Sequence, residues 1–380
     1  MTRRRTTFRK SRRSGGELNP ATTSEAAIFE QIKNGKVDQV GFNINKIRPE
    51  LGVYKTYFNK FVFENDVDYR MMEYLVNDLG ADVNTYMNIP PDLYNDDLQD
   101  DEKIPLLMAL VLKFIKTDDK KDGDKFLELI KYDADPTLRS KKTRVTCFNL
   151  IIQADIENFE KYLDPFIAGP LINEHEGGRV TPLILAINAA GTKSQEKTIY
   201  LVEKGADVNI PLAYSAIEVK FKQYPIHAAA GKYADLLYLD EDEDDDLKKY
   251  DRMATFRELF KALIDHGADV NQIYDTEYED GEHDKRTIFQ MIAVKNDDVD
   301  PKFDARQEEE EYHKLLKLLA DNDISMIDPN TGNDIYKEHP DTLIEEAKIF
   351  LMYILSMKNQ KRLNHGKDLA TKMLRSSKIS

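Results

Sequence analysis

The chain has 380 residues, 41% of them hydrophobic and 32% charged, with a formal net charge of −15. No uncharged apolar run approaches the roughly 20 residues that a membrane-spanning helix needs, and no apolar segment follows the N-terminal arginines as a secretory signal would. Cys147 is the single cysteine, which excludes an internal disulfide and a cysteine-based zinc site, so a reducing compartment, cytoplasmic or nuclear, is expected.

Charge is unevenly spread. Residues 1–16 carry seven basic residues and no acid, and 358–380 carry seven basic residues and one acid, leaving 40 basic and 68 acidic residues between them. A body near −28 repels nucleic acid and attracts basic partners, while the two basic ends do the reverse.

Taken in chain order, residues 1–24 read as a disordered basic tail containing Arg3-Arg4-Arg5, Arg9-Lys10 and Arg12-Arg13. It is a nuclear-import signal, a nucleic-acid arm or a plain solvated tail. Residues 26–40 and 53–84 read as a capping helical segment and a divergent helical repeat, ending in Gly80-Ala81-Asp82-Val83-Asn84. Ile104-Pro105-Leu106-Leu107-Met108-Ala109 then starts a helix, with proline in the first turn where its missing N–H costs nothing. Asp118 to Asp124 superficially matches a calcium loop, but Lys120 and Leu129 stand where ligands are required, so the match fails. Phe126–Tyr132 and Val145–Gln153 are further helices.

Thr181-Pro182-Leu183-Ile184-Leu185-Ala186 and Tyr224-Pro225-Ile226-His227-Ala228-Ala229 repeat the helix start, and Gly205-Ala206-Asp207-Val208-Asn209 and Gly267-Ala268-Asp269-Val270-Asn271 repeat the terminator. Glycine supplies the left-handed conformation that ends a helix, and Asp and Asn begin the turn. Phe256, Leu259, Phe260, Leu263 and Ile264 form one apolar stripe before the last copy. Seven consecutive acids, Asp240 to Asp246, fall between a helix near 225–238 and one near 251–265, within an acidic insertion over 239–249. Residues 306–320 are helical, 331–357 hold an apolar C-terminal capping helix, and 358–380 form a second basic tail.

A proline-led helix start, a second helix and a GADVN terminator together resemble the ankyrin repeat, whose period is about 33 residues. Pro105, Cys147, Pro182, Pro225 and Ile288 occupy equivalent positions at gaps of 42, 35, 43 and 63 residues, so insertions enlarge every repeat. The resemblance implies an all-α solenoid of about seven helix-turn-helix repeats over 25–330, with β-hairpin-like fingers at 85–103, 210–223 and 272–286. Its composition resembles ankyrin families expanded in large DNA viruses, protists and intracellular bacteria. It also implies that His227 bonds between adjacent repeats.

No glycine-rich phosphate loop, no GxSxG and no HExxH is present, so no catalytic residue, cofactor or metal ligand is assigned. Cys147 reads as a small core residue. The function the resemblance implies is protein–protein interaction by a monomer, through a concave face and finger tips, with a partner bearing a basic patch. The candidate contacts are Tyr86, Tyr94, Glu174, Arg179, Tyr214, Glu218, Tyr274, Glu277 and Tyr278, because aromatic side chains anchor interfaces and acids steer encounter. The alternatives are a nucleic-acid-associated or assembly protein using its basic tails, whose binding must fall steeply with salt, and a ligase substrate adaptor.

Overall fold

The structure, a computed structural model, describes residues 24–37, 42–93, 98, 102–167, 169–175, 180–191, 193–215, 219–238, 249–278, 280–295, 301, 303, 306–338 and 341–354. The basic tail over 1–23, residues 239–248 of the acidic insertion and the basic tail over 358–380 lie outside them. The chain divides into two compact units, 1–150 and 151–380.

The first unit holds α1 (Glu25–Lys33), α2 (Tyr57–Glu64), α3 (Tyr69–Glu73), β1 (Tyr86–Asn88), β2 (Lys103–Pro105), α4 (Leu106–Thr117) and α5 (Lys120–Lys131), and α6 (Cys147–Gln153) runs across the division. Ser24, Thr56, Asp68 and Asp119 each accept a backbone N–H of the helix they precede, which satisfies one of the donors a helix start leaves free. The apolar run Leu106 to Leu112 is buried throughout, so α4 is central, packing against α2 and α5. Phe114 of α4 meets Phe126 of α5 at 5.8 Å between ring centroids; each such buried side chain contributes about 1.5–3 kcal/mol. The acid-rich stretch that superficially matched a calcium loop serves α5 instead. Asp119 caps it, and Asp122 is buried between Lys113 (3.2 Å) and Lys125 (3.0 Å).

The second unit holds α7 (Phe159–Ile167), α8 (Pro182–Asn188), α9 (Ser194–Glu203), β3 (Leu212–Ser215), β4 (Val219–Gln223), α10 (Pro225–Leu237), α11 (Lys249–Asp265), β5 (Tyr274–Tyr278), β6 (His283–Arg286), α12 (Ile288–Ala293), α13 (Arg306–Asp321) and α14 (Ile335–Glu338), and a final helix over 345–354. α10 packs on α8, α11 and α12, while α11 packs on α9 and α13. The final helix buries Ala347 and Leu351 but leaves Ile349, Met352 and Tyr353 more than half exposed, so only one side of it covers its neighbours.

The expectation of an all-α solenoid of about seven helix-turn-helix repeats with β-hairpin-like fingers is corrected by the sheets. Among the described residues each unit contains one antiparallel sheet, β1–β2 in the first and β3-β4-β5-β6 in the second. The physical reason is that the long finger segments alternate in side-chain character with period two, as in Val219-Lys220-Phe221-Lys222-Gln223, and extended backbone beside extended backbone closes hydrogen bonds that separate loops would leave to water. Helices also depart from uniformity: Pro49–Tyr54 and Pro170–Asn173 are 3-10 turns, and α3 runs on into a π-helical turn at Tyr74–Asp78.

The repeated terminators have a shared geometry. Gly80, Gly205 and Gly267 sit at φ 67°, 96° and 89°, the left-handed region that glycine enters without penalty. The following aspartate accepts from the asparagine N–H two residues on, at 2.9, 2.8 and 2.8 Å. The asparagine side chain then reaches to the next helix end along the chain. Asn84 donates to the Asp133 carbonyl (3.4 Å) and accepts from the Asp135 N–H (2.8 Å); Asn271 does the same with Asp323 (3.2 Å) and Ser325 (2.5 Å), and Asn45 with Gly80 and Asp82, both 2.8 Å. Asn84→Ala removes both bonds at once and is expected to lower the unfolding free energy by about 1–2 kcal/mol, read as a reduced urea midpoint at unchanged slope.

Candidate protein-binding surface

β3 and β4 form one hairpin and β5 and β6 another, and they join because β4 pairs with β5 in the register Val219↔Tyr278, Lys220↔Glu277, Phe221↔Thr276 and Lys222↔Asp275. Alternation along each strand gives the sheet two different faces. On one, the charged Lys220, Lys222, Asp275, Glu277 and Lys285, together with His283, line a shallow groove. Lys220 Nζ lies 2.9 Å from Glu277 and holds that carboxyl below its ordinary range, and His283 Nδ1 is 2.8 Å from Asp275. Lys222 Nζ sits 5.0 Å from the centre of the Tyr224 ring. These pairs are solvent-exposed, so they set electrostatic character more than stability.

The opposite face carries Phe221, Tyr274, Thr276 and Tyr278. Phe221 and Tyr274 approach to 6.3 Å between centroids, Tyr274 reaches His227 at 5.8 Å, and Thr276 is buried. This face rests on the N-terminal end of α10. Tyr278, 44% exposed, ends β5 on this face, whereas Ile273, just before β5 and 41% exposed, lines the charged groove.

His227 ties the two hairpins at their base. Its Nε2 is 2.8 Å from the carbonyl oxygen of Gln272, and its Nδ1 accepts from the Tyr224 N–H at 3.3 Å; the second bond places the ring proton on Nε2, which donates to Gln272. Burial pushes the imidazole pKa down, opposed by the Gln272 carbonyl. The unfolded chain therefore takes up a proton first as pH falls through about 6.5. The stability contributed by neutral His227 is present above that pH and lost as pH falls through the lower folded-state value. Wild type is expected to lose stability relative to His227→Gln between pH 7.5 and pH 5, measured by urea unfolding at both.

Of the residues chosen from sequence, Tyr274, Glu277 and Tyr278 lie on β5, but the strand separates them: Glu277 belongs to the charged face and both tyrosines to the other. The backbone of Tyr214 on β3 is opposite Phe221. Glu174 directly follows the 3-10 turn Pro170–Asn173. Tyr86 is in the first unit, where its hydroxyl donates to the Arg139 carbonyl (3.0 Å) and Lys141 Nζ covers its ring at 3.8 Å; it is engaged with the 139–141 segment of its own unit. Tyr94, Arg179 and Glu218 lie outside the described residues. Sequence reading passed over Phe221, Lys222 and Asp275, although the alternation of 219–223 was available as a strand signal.

Cys147 is buried, and burial pushes its thiol pKa far upward, opposite to what a nucleophile needs. Among the described residues no group of three or more His, Cys, Asp or Glu side chains is arranged to hold a metal ion, and no helix is long and apolar enough to cross a membrane. No family model matches the chain, and no curated protein matches it.

Proposed function

We propose that this chain is a non-enzymatic, protein-binding protein of ankyrin-like repeat sequence, and that its partner is engaged by the four-stranded sheet built from its two long hairpins. The observation that carries the reading is the β4–β5 pairing, which joins two segments about fifty residues apart into one continuous surface. A surface with exposed aromatic and aliphatic anchors beside mixed charges has the make-up of a protein contact, since buried anchors supply affinity and charges supply orientation. The net negative charge of the chain between its tails favours a partner with a basic patch.

Affinity capture from a host-cell lysate tests this with the full chain. The double variant Ile273→Ser with Tyr278→Ala removes the exposed apolar side chains just before and at the end of β5 and is expected to reduce recovery of a specific partner at least tenfold at an unchanged melting temperature. Tyr69→Ala, at a more exposed aromatic in the first unit, should leave recovery unchanged. Identical partner lists from wild type and the double variant would exclude the sheet as the binding surface.

A further inference from the structure

The groove face of the four-stranded sheet reverses the charge of the chain around it. β5 supplies its acids and the two neighbouring strands supply its bases, because the register places Lys222, Asp275 and Lys285 in one row and Lys220, Glu277 and His283 in the next. Each carboxylate stands between two basic side chains. Three lysines and a histidine therefore face two carboxylates in the groove, a local positive excess, whereas the body between the two basic tails is near −28.

Both carboxylates are engaged within the sheet. Glu277 takes Lys220 at 2.9 Å and Asp275 takes His283 at 2.8 Å, so the excess resides on Lys222 and Lys285, on opposite sides of Asp275. With neighbouring strands about 4.8 Å apart, the backbones carrying these two lysines are roughly 10 Å apart. Lys222 Nζ is steadied 5.0 Å from the centre of the Tyr224 ring, as a cation over an aromatic face is. Two residues on from Lys222 and two before Asp275, Tyr224 and Ile273 continue the same face and line the groove, and Ile273 is exposed. A pair of cations therefore borders an accessible apolar strip.

We infer that this groove binds a short acidic segment of the partner protein, whose carboxylates meet Lys222 and Lys285 and whose apolar side chain rests on Ile273 and Tyr224; this rests on the protein-binding reading above. Nucleic acid is the poorer occupant, because Asp275 and Glu277 lie among the lysines and would face a continuous line of phosphates. The requirement acts at contact distance, inside the screening length of physiological salt, so a partner whose basic patch faces the acidic body meets it with one acidic segment.

The probe is a fluorescein-labelled peptide with two leucines between pairs of glutamates, compared with one in which glutamine replaces glutamate, and binding to the full chain is followed by polarisation. The glutamate peptide is expected to bind about tenfold more tightly at low salt, as two or three exposed charge contacts allow, with the advantage shrinking as salt rises. Lys222→Gln with Lys285→Gln abolishes the advantage, and Glu277→Gln, which frees Lys220, increases it; an increase cannot come from a folding defect. Equal binding of the two peptides, or a preference that none of these substitutions moves, overturns the assignment. So does an oligothymidylate of equal charge that competes as tightly, or a dimer seen by sedimentation that Lys222→Gln with Lys285→Gln dissolves, since the groove then takes phosphates or a second copy. Lysate capture separates the two levels: a partner whose recovery survives Lys222→Gln with Lys285→Gln but not Ile273→Ser with Tyr278→Ala overturns the acidic-segment assignment alone, whereas recovery that survives both overturns the sheet as a binding surface.

Discussion

Lys197→Ala is expected to destabilise the second unit by about 2–3 kcal/mol at pH 7, because it leaves buried carbonyl groups without a donor. Lys197 lies on α9 with only 2% of its surface exposed. Its Nζ is 3.3 Å from the carbonyl oxygens of both Ile151 and Ile152 and also bonds that of Ala154, the groups at the end of α6. The last carbonyls of a helix have no partner within it and form the negative end of its dipole, so a lysine delivered from another helix answers both needs. Burial pushes Lys197 down to about 8, with the Asp155 charge opposing the shift.

The direction of the pH effect follows. Between about 8 and the unfolded-state value near 10.4, the unfolded chain binds more protons than the folded one. Wild-type stability therefore gains with rising pH over that window, and a chain without this amine does not. The gap between wild type and Lys197→Ala should be wider at pH 10 than at pH 7, as read from urea midpoints, and Lys197→Met separates the amine's role from that of the stem. A gap that narrows with pH would refute the assignment.

The second large effect is a pair of opposite signs from one chemical change. Tyr233 on α10 and Tyr312 on α13 are fully buried and stacked, with centroids 6.5 Å apart and planes 9° from parallel. The Tyr312 hydroxyl donates to the Ile292 carbonyl at 2.9 Å, whereas the Tyr233 hydroxyl, facing Phe256 and Phe260 edge-on, meets no hydrogen-bond partner among the described residues. Tyr312→Phe leaves the Ile292 oxygen unsatisfied and should cost about 1–2 kcal/mol, while Tyr233→Phe removes a buried unpaired hydroxyl and should be neutral or stabilising by up to about 1 kcal/mol. Burial raises both phenol pKa values well above the ordinary range, so the contrast should persist into alkaline solution. Calorimetric melting of the two single variants reads it directly, and equal losses would show that the Tyr233 hydroxyl has a partner.

These two cases belong to a recurring arrangement in which a donor from a later helix closes an earlier helix end. Lys113 of α4 reaches the Phe63 carbonyl of α2 at 3.0 Å, Lys249 of α11 reaches Leu237 of α10 at 3.0 Å, and Tyr312 and Lys197 serve α12 and α6. None of this is legible in the sequence, where lysine reads as a surface residue, because the interaction depends on which helix end the fold brings beside it.

What the sequence determined by itself is local. Thr181 capping α8 by accepting from Ile184, Pro182 and Pro225 in first turns, and the left-handed glycines of the three terminators all act within about five residues, so their identities suffice. The apolar stripe of Phe256, Leu259, Phe260 and Leu263 is likewise buried, since a helix's periodicity states which side faces a neighbour. Tertiary structure alone decided the rest. Lys220 faces Glu277 across 57 residues of chain, and that register exists because α10 and α11 pack together and bring the two hairpins side by side. The alternation in 219–223 announces a strand but not its neighbour, since backbone hydrogen bonds are the same for every sequence. The sheet is therefore a consequence of helix packing, and it sorts Tyr274, Glu277 and Tyr278, read singly from the sequence, onto two faces.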